Sequence, residues 1–391
     1  MAESRQQVPK SSYIWYLCAK LLWPSDRNKE HLGIAAFNLR KYKQSAAMLK
    51  PLFSAQFRLS DYGYYCLAWA VVADKGGQAE AIRICESGLR EYPASALLWY
   101  GLAYIQWHHP CQERASAESF DKAALAAQGK AVPEWLRRDI LVERAAAHFC
   151  AGEVDAGIRA AREATRVLPE DARAHKMAAA SAELEGEIGL AADEWLAVVR
   201  ARESTELLKP PPPAYLYQAC LALGRAHRQP EAEALLEEHR AQVSEGVWHR
   251  CRAALLCESS PVQARQELLK AARLTQNPTD RQAMEVLLSV SLAWIGQRGE
   301  AVRELKKITL LRSLPRAYQE LYLLQASWSA DPASLRTSLT LLLEFLEGEG
   351  HWDILGDIKR MLAGHPLRMP CYAFFDWSQD ASVNSAPGTQ P

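Results

Sequence analysis

Apolar and small residues recur along this chain in two nested periods. Within short stretches they fall three or four positions apart, the spacing that places them on one face of an α-helix. Over longer distances the whole pattern returns. One copy runs Leu141, Ala145, Gly152, Gly157, Ala161, Ala164, Pro169; the next runs His175, Ala179, Gly186, Ala191, Trp195, Val198. Equivalent positions stand 34 residues apart (175 − 141, 191 − 157, 195 − 161). Such a period predicts stacked helix hairpins rather than a closed enzyme domain. Each hairpin buries one face on its own partner helix and the other on the next hairpin.

Nine units can be laid out on this pattern. Gly76, Gly152, Gly186 and Gly296 fall at the turn inside four of them, where a left-handed residue ends the first helix. Pro93 and Pro169 end second helices. Residues 1–26 read as an N-terminal capping helix, stopped by Pro24, with Ser25 and Asp26 opening the next helix. Residues 27–209 hold five hairpins, and 210–346 hold four more after a proline link, Pro210 to Pro213. That link is a plain inter-repeat loop, a hinge, or a site for a polyproline-binding partner. Residues 347–365 read as a C-terminal capping helix, and 366–391 as an aromatic and then disordered tail.

Charge narrows the function. Lys and Arg together number 46, as do Asp and Glu, so the formal net charge is zero. Nucleic acid or anionic lipid calls for a basic excess that is absent here. The apolar stretch from Tyr13 to Trp23 is too short to span a bilayer and is interrupted by Lys20, so no membrane insertion is expected. The nine cysteines are scattered and odd in number. They read as buried thiols of a cytoplasmic protein rather than a disulfide framework. His108-His109-Pro110-Cys111 offers metal donors, but neighbouring residues chelate one ion poorly, and the run reads as a lengthened loop. No nucleophile, phosphate-binding or dinucleotide motif is present, so neither catalysis nor a cofactor or metal is expected.

At Ala81, Cys85, Gly88, Pro93 and at Gly157, Ala161, Ala164, Pro169 the chain resembles the tetratricopeptide repeat (TPR) family, over about residues 27 to 346. The resemblance implies an all-α, right-handed solenoid with a concave groove lined by the first helices. It implies protein partners and roles as chaperone cofactors, secretion components or scaffolds of assemblies. The family's carboxylate clamp uses Lys and Asn on the first helices. The matching positions here hold Glu30 and Ile34, Cys66 and Ala70, Gly101 and Ile105, so that clamp cannot form. Later units give a mostly apolar strip that includes Tyr217, His249, Val286 and Val290, with Arg173 and Lys176 as its cationic spot. The strip either takes an apolar helix of a partner or fills itself in a tightly wound solenoid.

Trp69, Trp195 and Trp248 fall on core positions, and Trp107 and Trp294 lean to core. Outside the repeats, Trp352 and the tail residues Tyr372, Phe374, Phe375 and Trp377 are interface candidates, the tail either folding back or docking into a partner. The expectation is a non-enzymatic scaffold or adaptor within a hetero-complex. The alternative is a peptide- or ligand-responsive regulator whose superhelix changes curvature.

Overall fold

The computed structural model describes residues 25–308, apart from 76, 110–111, 129–131 and 202–212, and beyond 308 only isolated positions such as Leu323, Ile358 and Met361. Among the described residues there are sixteen α-helices, one 3₁₀ turn (Arg240–Gln242) and no strand. They form eight successive hairpins of the TPR-like kind. Hairpin one is α1 (Asp26–Asn38) and α2 (Tyr42–Ser54); hairpin two is α3 (Asp61–Lys75) and α4 (Gln78–Glu91). Hairpin three is α5 (Ala96–Trp107) and α6 (Glu113–Ala127); hairpin four is α7 (Glu134–Cys150) and α8 (Val154–Val167). Hairpin five is α9 (Ala172–Glu185) and α10 (Ile188–Arg200); hairpin six is α11 (Pro213–Arg225) and α12 (Gln229–Glu238). Hairpin seven is α13 (Glu245–Leu256) and α14 (Pro261–Leu274); hairpin eight is α15 (Pro278–Trp294) and α16 (Arg298–Leu305). The chain divides into two compact units, Met1–Ala160 and Ala161–Pro391.

Local signals fix where the helices begin. Ser25, Ser95, Asp171 and Ser244 cap α1, α5, α9 and α13, each side chain accepting a first-turn backbone N–H. Prolines open α11, α14 and α15, where no intrahelical N–H is needed. Pro213, expected in an extended link, is therefore the first residue of a helix; Pro210 to Pro212 lie outside the described residues.

The turns share one device. In five hairpins a backbone N–H reaches back to the carbonyl five residues earlier: Lys41 to Ala36, Glu153 to His148, Glu187 to Ala182, Arg228 to Leu223 and Gln297 to Leu292. This closes the end of the first helix. It requires a left-handed residue between, and Gly152, Gly186 and Gly296 supply it at φ 73°, 79° and 87°. Arg40 and His227 do so without being glycine, at φ 60° and 58°. Gly76 lies outside the described residues.

The core is built from the recurring small and large positions. In the first unit Ala81, Cys85, Leu98, Ala103, Phe120 and Ala123 are fully buried. In the second, Leu216, Ala219, Leu223, Cys251, Ala264 and Leu268 are. A buried Leu or Phe contributes about 1.5–3 kcal/mol, and the alanines let two helices approach closely. The N-terminal capping helix, most of the ninth hairpin, most of the C-terminal capping helix and the tail lie outside the described residues. So do Trp352, Tyr372, Phe374, Phe375 and Trp377.

Candidate protein-binding surface

In the first unit the aromatic residues of successive first helices meet. Tyr65, Tyr100 and Trp135 occupy one repeat position, and Trp69 and Tyr104 another, each 35 residues from the next (100 − 65, 135 − 100, 104 − 69). Stacking hairpins bring these positions side by side. Tyr65 contacts Trp69 at 6.1 Å between ring centroids, Trp69 contacts Tyr104 at 5.2 Å, and Tyr100 contacts Trp135 at 6.3 Å. The series extends to Tyr62, stacked on Tyr65 at 12° between planes, and to His108, stacked on Tyr104 at 4.6 Å. Each such pair adds about 0.5–1.5 kcal/mol beyond its buried area.

The inner members of this ladder, Tyr65, Tyr100 and Phe120, are buried. The outer ones are not: Tyr62, Trp69, Tyr104, Trp107 and Trp135 are half-buried, and His108 is exposed. Neighbouring rings hold them, so little side-chain entropy remains to be lost on contact with a partner. The indole N–H of Trp69 is buried with no acceptor, so the part of Trp69 that reaches solvent is carbon alone. His108 is oriented by its Nδ1, 2.9 Å from the Tyr104 carbonyl. The surface is apolar and preordered, and suits aliphatic, proline, aromatic or cationic side chains.

The apolar strip expected from the sequence is core instead. Tyr217, Val286 and Val290 are buried between helices, with at most 1% exposure. His249 is nearly buried; its Nδ1 lies 2.5 Å from the Glu267 carboxylate and its Nε2 3.4 Å from Glu245. Of the two competing readings, self-filling describes these positions. Arg173 and Lys176 remain half-buried at the surface, Arg173 in an ion pair with Asp171 at 3.7 Å and Lys176 with its ammonium 5.9 Å from the Tyr215 ring centroid. Glu30, at a clamp-equivalent position, turns inward: its Oε1 accepts the Ser60 N–H at 2.5 Å and the Ser60 hydroxyl at 2.6 Å, capping the start of α3. Trp195 is core, as expected, and its indole N–H donates to Glu183 at 3.0 Å. Trp69, Trp107, Trp248 and Trp294 are only half-buried.

The remaining ionisable groups tie helices together. His148 links Glu153, 2.8 Å from Nδ1, to Asp121, 3.2 Å from Nε2, and Arg144 donates to Asp121 at 2.6 Å. Burial would raise the Asp121 carboxyl, but the hydrogen bonds from Arg144 and His148 outweigh it and hold it below the usual carboxylate value. Burial pushes the Cys85 thiol up to about 12, which keeps it protonated and unreactive. Among the described residues no group of three or more His, Cys, Asp or Glu is placed to hold a metal ion, and no helix is long and apolar enough to cross a membrane.

No protein-family model and no curated protein matches the chain. Among solved structures it is similar to Naa15/Naa10 bound to HypK-THB, at 12% identity and TM-score 0.37, over 87% of this chain and 50% of that one. It is similar also to the C-terminal part of a TPR repeat-containing protein from Cytophaga hutchinsonii, at 13% identity and TM-score 0.42, over 74% of this chain and 98% of that one. A third is the APC/C hetero-tetramer Cut9–Hcn1, at 11% identity and TM-score 0.43, over 92% and 73%. The chain spans about half the length of the first of these.

Proposed function

We propose that this chain is a non-enzymatic protein-interaction scaffold, a subunit of a larger assembly, and that its first unit presents an aromatic face to an apolar helix or extended segment of a partner. The observation that carries this reading is the ring ladder from Tyr62 to Trp135. Its core rings hold its outer rings half-exposed and fixed. Aromatic anchors of this kind dominate binding energies because they bring large area at small entropic cost.

The reading is tested with a photo-crosslinking residue in place of His108, at the edge of the face, and in a second protein in place of Leu125, which is 69% exposed on α6. In the native source, the His108 position is expected to give a discrete crosslinked partner and the Leu125 position none. Adding Tyr104→Ala and Trp135→Ala should abolish that product while far-UV circular dichroism still reports a folded helical chain, with melting lowered by the lost ring packing. Equal crosslinking from both positions, or a product indifferent to the two alanines, rules the aromatic face out.

A further inference from the structure

Three histidines sit at joints of the hairpins with both ring nitrogens turned on oxygen. His148, near the end of α7, has Nδ1 2.8 Å from Glu153 and Nε2 3.2 Å from Asp121. His175, in the first turn of α9, has Nδ1 2.6 Å from Glu194 of α10 and Nε2 2.8 Å from the Pro169 carbonyl. His249, in α13, has Nδ1 2.5 Å from Glu267 of α14 and Nε2 3.4 Å from Glu245. The three side chains are 5%, 13% and 11% exposed, so water has little access to either nitrogen. A carbonyl and an ionised carboxylate only accept hydrogen bonds, and a neutral imidazole has a single N–H to give. The imidazolium has two and satisfies both oxygens; a neutral ring sets a nitrogen lone pair against an oxygen. The carboxylates are held ionised. Burial would raise Glu267, but hydrogen bonds from Lys270 and His249 outweigh it, as those from Arg144 and His148 do at Asp121; Glu245 is lowered by its hydrogen bond from Arg240.

The charged groups at the joints are few. His148 meets Asp121 of α6, Arg144 of its own helix and Glu153, which Arg114 of α6 also holds. His175 meets Glu194 and the nearby Glu170, with Asp171 and Arg173 paired at the start of its helix. His249 meets Glu245, which Arg240 holds, and Glu267, which Lys270 holds. Hairpin six shows the alternative. Glu194 and Glu267 are each the seventh residue of a second helix, and His175 and His249 the fourth and fifth of a first helix. In hairpin six the fourth and seventh places hold Leu216 and Leu235, buried at 0% and 3%. That joint closes with no proton.

We propose that His148, His175 and His249 are proton-loaded joints, which close hairpins four, five and seven while doubly protonated and loosen them on deprotonation, making this solenoid a pH-responsive scaffold. The device is independent of the aromatic face. Its sign is fixed: the closed joint binds one proton more than the open one, so closure weakens as pH rises. The test is a titration of the full chain, with histidine labelled with ¹⁵N, upward from about pH 6. Three imidazoles are expected to keep both N–H signals after the other histidines have lost theirs, and His148→Gln, His175→Gln and His249→Gln should each remove one. Amide exchange measured over the same range should quicken in α9 and α13 relative to α11 and α12 by roughly tenfold per pH unit, the slope for one proton. In α7 it should quicken likewise. Three imidazoles that lose their protons with the rest overturn the proposal, whatever the variants do. So does exchange that follows the same course in hairpins five, six and seven.

Discussion

Replacing Gly224 with alanine tests whether the first helices of hairpins six and seven are held at backbone contact. A Cβ on Gly224 would lie 2.5 Å from the Leu255 carbonyl oxygen, 3.1 Å from its carbon and 3.2 Å from its Cα. Ordinary contact begins near 3.4 Å, so α11 and α13 must part by about 0.9 Å (3.4 − 2.5). No rotamer can relieve this, because the obstacle is main chain. Leu223, Cys220, Cys251 and Leu255 are fully buried around the site, so parting the helices loosens their packing too. Overpacking of this kind costs about 1–3 kcal/mol, and a rigid backbone obstacle belongs at the upper end. Against it stands the better helix propensity of alanine, about 1 kcal/mol. The net expectation is a loss of about 2 kcal/mol. Gly299 is the control: it lies in α16 with nothing within 4 Å of a built Cβ, so Gly299→Ala should raise stability by roughly 0.5 kcal/mol. Urea unfolding followed by far-UV circular dichroism gives the sign and size. Because repeat arrays open locally, amide hydrogen exchange should quicken first in α11 and α13. A Gly224→Ala protein as stable as the parent would falsify the close-contact argument.

Arg250 and Asp280 form a buried ion pair at 3.5 Å between α13 and α15, with exposures of 3% and 4%. Arg250→Met alone should cost about 3–5 kcal/mol, whereas Arg250→Met with Asp280→Leu should recover most of it, as read from urea midpoints; equal losses in single and double variants refute the pairing. His175 is raised above its ordinary 6.5 chiefly by its hydrogen bond to Glu194, against a smaller opposing effect of burial. Its stabilisation is therefore complete below that value and fades as pH rises through the raised one, so the parent should lose stability on the alkaline side of 6.5 relative to His175→Gln. Parallel pH profiles for the two proteins would contradict that assignment. Asp121 works in the opposite sense: its lowered value makes its contribution present above about 3.8 and lost as pH falls further, a limb that Asp121→Asn should flatten in acid titrations.

The repeat was legible because hairpin stacking imposes small residues at fixed intervals, and Ala81, Cys85, Ala161 and Ala264 show that constraint directly in the sequence. The left-handed turns were legible only where glycine marks them. Before the donors Lys41 and Arg228 the same closing hydrogen bond is served by an ordinary left-handed residue, Arg40 or His227, at a cost of roughly 1–2 kcal/mol of backbone strain. The turn is thus defined by its bond, and composition reports it incompletely. For Tyr217, Val286 and Val290 the sequence leaves groove and core both open for a related reason. The face of a first helix that meets solvent and the face that meets the next first helix are both apolar, and helical periodicity does not tell them apart. The aromatic face carried a signal of another kind. No single residue announced it, and Trp69, taken alone, fits a core position. The signal is the coincidence of Tyr65, Tyr100 and Trp135 with Trp69 and Tyr104 at one 35-residue spacing. In a stacked array, residues that share a repeat position become neighbours in space, so a side-chain class that persists at one position across three units forms a continuous surface. Burial of the inner rings and partial exposure of the outer ones then follow from where each position lies on its helix, and the proposed partner surface rests on that division.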